Sequence, residues 1–182
     1  MKKFFSLCFL IVFSVALYAA PKDLQVSTYF TNKNPIGNLS DYSSSYLGIG
    51  TGFDYTIPKF EFLSLIGRVD AETVLCKNPK HNNWWGFTFT GGLQCNFEIK
   101  EYFVLSPSIS YGVMFNTLSI EGESKYFADQ VMQTAIALKF YPDFLKERLM
   151  GFEITPLYTL AFEQDLLIHY LGVRAGFSYY FN

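Results

Sequence analysis

From Leu167 to Phe181 the chain reads LIHYLGVRAGFSYYF, and its apolar and polar positions alternate. Leu167, His169, Leu171, Val173, Ala175, Phe177, Tyr179 and Phe181 fall on one face, and Ile168, Tyr170, Gly172, Arg174, Gly176, Ser178 and Tyr180 on the other. A period of two predicts a strand. A soluble sheet turns its apolar face to a core and its polar face to water. A closed barrel in lipid inverts that sense, with the apolar face outward and the polar face inside.

Seven further segments repeat the pattern. Leu24 to Thr31 sets Leu24, Val26 and Phe30 against Gln25, Ser27 and Tyr29. Ser45 to Thr56 sets Leu47, Ile49, Thr51, Phe53 and Tyr55 against Gly48, Gly50, Gly52 and Asp54, and three alternate glycines imply a face crowded by large side chains from elsewhere. Phe60 to Leu75 carries Ser64, Arg68, Asp70 and Glu72 on its polar face, and Trp84 to Glu98 alternates from Trp85, Phe87 and Phe89 through Phe97. Fifteen residues is long for a globular strand and suits a tilted membrane strand. Tyr102 to Asn116, Gln130 to Tyr141 and Leu149 to Ala161 complete the set. Pro107 predicts a bulge or local kink, because a closed sheet has no free edge to receive a residue without an N–H.

The connections decide the sense of the alternation. Residues 32–44, 76–83 and 117–129 read as long polar loops, 57–59 and 99–101 as short turns, 142–148 as the longest turn and 162–166 as a modest final loop. With an even strand count, both termini and the short turns fall at one end, the asymmetry of outer-membrane barrels. Charge agrees: Asp54, Arg68, Asp70, Glu72, Glu98, Lys139, Glu153 and Arg174 all take the phase opposite the apolar row. On the lipid face each would cost roughly 2–4 kcal/mol near the midplane, so they must point inward. The predicted fold is all-β, an eight-stranded antiparallel up-and-down transmembrane β-barrel. Its interior is filled by side chains, with Arg68, Asp70, Glu72, Glu153 and Arg174 as a polar network and Arg174–Glu153 as the first expected pair. Phe30, Trp85, Phe115 and Phe162 are expected near the loop ends, and Tyr55, Phe60, Phe97, Phe103, Phe140, Tyr179 and Phe181 near the turn ends.

The N-terminus changes the picture by implying export. Lys2 and Lys3 precede an apolar run from Phe4 to Tyr18 and small residues at Ala19 and Ala20, the pattern of a secretory signal peptide over residues 1–20. That leaves residues 21–182 as one barrel domain, with 12 basic against 16 acidic side chains once Lys2 and Lys3 are removed from 14 and 16. No basic excess argues for a nucleic-acid partner. Aromatic residues make up 19% of the chain and charged residues 16%, a balance that favours strands in an apolar setting. Cys76 and Cys95 are expected to be free thiols, because on the two arms of one hairpin they are far out of register.

Arg174, Gly176, Tyr179 and Phe181 resemble the C-terminal signal of bacterial outer-membrane barrels, although this chain ends one residue later at Asn182. The resemblance implies recognition by the barrel-assembly machinery. The whole of 21–182 looks like the small eight-stranded class that includes OmpX, the OmpA transmembrane domain and OmpW. It implies an outer-membrane location, lipid as the surrounding partner, a monomer, and no cofactor.

Candidate chemistry is thin. His81 sits in a loop, and His169 falls in the outward phase near the loop end, the depth of lipid-A chemistry. Deacylase-like barrels of this size pair a His with a Ser two residues on, whereas Tyr170 and Leu171 follow His169; the acyltransferase type uses an Asp-Ser dipeptide that this chain lacks. The reading is therefore a barrel with no catalytic, cofactor-binding or metal residue, serving structure or surface interaction. Passage of small hydrophobic molecules, as suggested for OmpW-like barrels, is the alternative, and a lipid-A-modifying enzyme follows it. Trp84, Trp85, Tyr179 and Phe181 are expected as interfacial aromatics. Loops 32–44 and 117–129 are the candidate surfaces for a partner.

Overall fold

The computed structural model describes residues 24–37, 40, 43–76, 83–120, 123–142, 150–163 and 166–181. The predicted export segment and His81 lie outside them. The described chain forms the strands β1 (Leu24–Ile36), β2 (Ser43–Ile57), β3 (Phe60–Cys76), β4 (Asn83–Cys95), β5 (Phe97–Lys100), β6 (Phe103–Ile120), β7 (Glu123–Phe140), β8 (Met150–Glu163) and β9 (Leu166–Phe181). β4 and β5 are one stave interrupted at Asn96, so eight staves surround the lumen. Each pairs antiparallel with its neighbour, and β1 pairs with β9 to close the barrel.

A hydrogen-bond row that leaves β1 at Val26 runs through Phe53, Gly67, Gly91, Tyr111, Met132, Leu160 and His169 and re-enters β1 at Ile36, ten residues further along. With eight strands that stagger requires strongly tilted strands. Residues side by side in a row therefore lie at different depths, and long side chains reach staves that are not adjacent in sequence.

The exterior is apolar. Phe30, Ile49, Phe53, Phe89, Ile109, Ile136, Ile154, Leu171 and Phe177 all face outward around the middle of the wall. Exposed charged side chains among the described residues occur at the two ends only: Lys59, Glu61, Glu98, Lys100 and Glu101 at the terminal end, Glu123 and Lys125 at the other. A continuous apolar girdle of this extent on a closed barrel is a lipid-facing surface, far beyond the patches a soluble protein exposes. No described helix is long and apolar enough to cross a membrane; the crossing is made by strands.

Several expectations are corrected. The loops predicted at 32–44 and 117–129 are largely strand: β1 runs on to Ile36 before Gly37 turns the chain at φ 80°, and β6 and β7 continue as a paired ribbon as far as Ile120 and Glu123. Asn, Lys and Ser are weak strand formers, but here Asn32, Lys33, Asn34, Ser119 and Ser124 each find a ladder partner. Glu98 is exposed at the terminal end rather than inside, because the inward phase of β4 is lost after the interruption at Asn96. With β1 extended, Phe30 is a mid-wall residue opposite Ile49 and Ala175. Pro107 produces neither bulge nor register shift within the β6–β7 pair; instead the neighbouring ladder lapses between Gln94↔Ser108 and Phe97↔Leu105 and resumes in the same register.

Candidate functional site

Among the described residues, buried polar and ionisable groups converge in the lumen. Its middle holds four cations, Lys33, Arg68, Lys139 and Arg174, and four anions, Asp54, Asp70, Glu72 and Glu153, all buried. Alternation puts each of them on the inward face, and the stagger decides which meet. Lys33 Nζ on β1 lies 2.7 Å from Glu72 Oε2 on β3. Arg174 Nη2 on β9 donates to Asp70 Oδ2 on β3 at 2.7 Å and to Gln133 Oε1 on β7 at 3.0 Å. Asp54 on β2 takes two cations, Arg68 Nη1 at 2.5 Å and Lys139 Nζ from β7 at 2.6 Å. Lys139 also donates to Gln25 at 2.8 Å, and Gln94 donates to Asp54 at 3.1 Å. Arg174–Asp70 and Lys139–Asp54 span the lumen, tying non-adjacent staves together.

The expected Arg174–Glu153 pair does not form. Arg174 lies across from Thr155 on β8, and its guanidinium reaches Asp70. Glu153 lies across from Lys139 and Gly176 and accepts a bond from Thr155 Oγ1 at 2.7 Å. Lys33 belongs to this network although the sequence reading placed it in a loop; it continues the inward phase of Gln25, Ser27, Tyr29 and Thr31, which was the available signal.

The glycines of β2 make room for these groups. Tyr29 stands opposite Gly50 on β2 and Gly176 on β9, and the Arg174 guanidinium carbon lies 5.1 Å from its ring centroid. A Cβ at Gly50 would sit 2.3 Å from the ring, and one at Gly52 would sit 2.6 Å from Arg68 Cδ. Those positions are glycine because the ring and the guanidinium occupy the space.

Toward the loop end the lumen changes character. Tyr46, Val74, Met114, Val131, Ala161 and Tyr170 form an apolar cluster, with Trp84 and Ile168 packed on it. The Tyr46 ring meets Trp84 and Tyr170 edge-on at centroid distances of 5.8 and 5.1 Å. Trp84 therefore faces the lumen and is not an interfacial anchor; Trp85, one residue on, faces outward as alternation requires. Within the polar middle, beside Arg68, Gln133, Glu153 and Arg174, lies a void of about 10 Å³, room for roughly one water molecule. Among the described residues, side chains fill the middle of the lumen.

Of the four C-terminal residues singled out, Arg174 belongs to the network just described and Gly176 leaves room for Tyr29 beside it. Tyr179 and Phe181 face outward near the termini, with ring centroids 5.0 Å apart. His169 is partly buried on the exterior and its Nδ1 contacts the Tyr158 hydroxyl at 2.5 Å; the residues opposite it, Leu160 and Ile36, supply no nucleophile and no carboxylate. Cys95 is a free thiol opposite Leu63, whereas Cys76 stands opposite Ser43 at the far end of the hairpin. Among the described residues no three His, Cys, Asp or Glu side chains come together as metal ligands.

No protein-family model matches the chain, and no curated protein matches it significantly. Solved structures do match its fold. Neisserial surface protein A superimposes with a TM-score of 0.68 at 9% identity, over 87% of this chain and 97% of that one. OprG, an outer-membrane protein of Pseudomonas aeruginosa, gives 0.56 at 13% identity over 87% and 95%. Ail, the attachment invasion locus protein of Yersinia pestis, gives 0.51 at 14% over 86% and 96%. With its closed wall, apolar exterior and paired interior charges, the chain has the fold of the small eight-stranded outer-membrane β-barrels.

Proposed function

We propose that this chain is a resident of the outer membrane that serves as a structural and surface-interaction protein without catalysis. The observation that carries the reading is the filled lumen: cross-lumen ion pairs occupy its middle and an aromatic cluster caps its loop end. A path for solutes would have to break several buried pairs at once, each strongly coupled in such a setting. On this reading residues 1–20 direct export and are removed. Arg174, Gly176, Tyr179 and Phe181 present the terminal strand to the assembly machinery. The part that meets a partner is the β6–β7 ribbon, where Tyr126 is 77% exposed, rather than a loop over 117–129.

Reconstitution in planar bilayers tests the reading. The folded protein, verified by heat-modifiable gel migration, is expected to be electrically silent. Stepwise conductance would favour passage of small molecules and overturn the filled-lumen reading. Mass spectrometry of lipid A from cells expressing the protein or its His169→Ala variant is expected to give identical spectra, and a difference would restore the enzyme reading.

A further inference from the structure

Two prolines flank the centre of β7. Pro107 on β6 and Pro156 on β8 belong to one hydrogen-bond row with Ile136 between them, and all three side chains face outward in the middle of the wall. Proline has no N–H to give a ladder. The registers record the consequence on both sides. Pairing of β6 with the β4 and β5 stave lapses opposite Pro107, and β7–β8 pairing lapses between Ala135↔Leu157 and Leu138↔Ile154, resuming in unchanged register. The opposite side of the barrel has no such gap: Val69 on β3 pairs with Thr51 and with Phe89 in ladders that run unbroken on either side of it.

The wall is also thin there. Its inward residues are Ser106, Ser108, Ala135 and Ala137, all short, and the last three line the void together with Gln133, Glu153 and Arg174 of β7, β8 and β9, with Arg68 and Gln94 of β3 and β4 across it. Gln133 Nε2, Glu153 Oε2 and Arg174 Nε are buried polar atoms without a protein partner. Buried groups of this kind are normally satisfied by ordered water.

We propose that the centre of β7 is a hydration port: the wall at Pro107, Ile136 and Pro156 opens ahead of the rest of the barrel and exchanges the water held by Gln133, Glu153 and Arg174. Segments with fewer backbone hydrogen bonds and less packed side-chain volume open at lower free energy. The ion pairs on either side keep the opening local.

Amide hydrogen exchange on the folded protein in lipid nanodiscs tests this. The Ile136 amide is expected to exchange at least about tenfold faster than that of Val69, which lies in the unbroken β3 ladders. In the P107T/P156T double variant, whose threonines supply the missing donors, exchange at Ile136 is expected to slow toward the Val69 rate. Equal protection at Ile136 and Val69 in the unaltered protein would overturn the proposal, with no variant needed. Fast exchange at Ile136 that persists in a heat-modifiable, folded P107T/P156T variant would overturn it too. If that variant does not fold, the single variants P107T and P156T, each restoring one side, are read against the same standard.

Discussion

The middle of the lumen and its loop end are filled by opposite means. In the middle, Asp54, Asp70 and Glu72 hold Arg68, Lys139, Arg174 and Lys33 through direct contacts of 2.5–2.7 Å. At the loop end Tyr46, Trp84, Met114, Val131 and Tyr170 pack by shape. A charge taken out of water is tolerated only while its partner stays, so loss of one group strands another. Packed rings lose contact area in proportion to what is removed. The middle should therefore be brittle and the loop end graded.

The largest effect is expected at Asp54, the one carboxylate among the described residues that directly contacts two cations. Asp54→Ala removes the carboxylate in direct contact with both Arg68 and Lys139, leaves Glu153 as the nearby anion for the two, and should destabilise by about 3–5 kcal/mol, or prevent folding altogether. The urea midpoint of heat-modifiable migration measures it. Adding Lys139→Met removes one stranded charge and should recover part of the loss. A double variant as unstable as the single would show that Asp54 acts by some means other than pairing with Lys139.

A smaller loss is expected at Gly50. Its Cβ position lies 2.3 Å from the Tyr29 ring and 2.6 Å from Asp70 Oδ1, so Gly50→Val overpacks the network without removing a charge. Overpacking of this kind costs typically about 1–3 kcal/mol. Combining it with Tyr29→Ala opens the space the valine needs, so the pair should lose less than the sum of the two singles in the same urea titration.

Legibility in the sequence followed the same division. Inward and outward facing could be read because alternation has a period of two and because a lipid-facing charge is so unfavourable; Asp54, Arg68, Asp70, Glu72, Lys139, Glu153 and Arg174 all face the lumen for that reason. Partner choice could not be read. Arg174 meets Asp70 on β3 because a stagger of ten residues carries neighbours in a row to different depths, and adjacency along the chain says nothing about who faces whom across the lumen. Lys33 and Trp84 escaped for a different reason. Each lies at a strand end where composition suggested a loop or an interface, and only the continued phase of its own strand reveals that it points inside.

The weakest expected effect is at the Tyr170 hydroxyl, and it is the sharper test of the contrast. Its hydroxyl lies 3.4 Å from that of Tyr46, a long contact, while its ring packs edge-on against Tyr46 within the loop-end cluster. Tyr170→Phe deletes the hydroxyl and keeps the ring. If shape holds the loop end together, the loss should stay under about 1 kcal/mol, the net worth of an ordinary hydrogen bond. Tyr170→Ala, which removes the ring and opens a cavity, should cost several times more. In the urea titration the two Tyr170 variants should thus separate widely. In the middle of the lumen, Asp70→Asn and Asp70→Ala should nearly coincide, because what matters there is the lost charge facing Arg174 and not the volume that carries it.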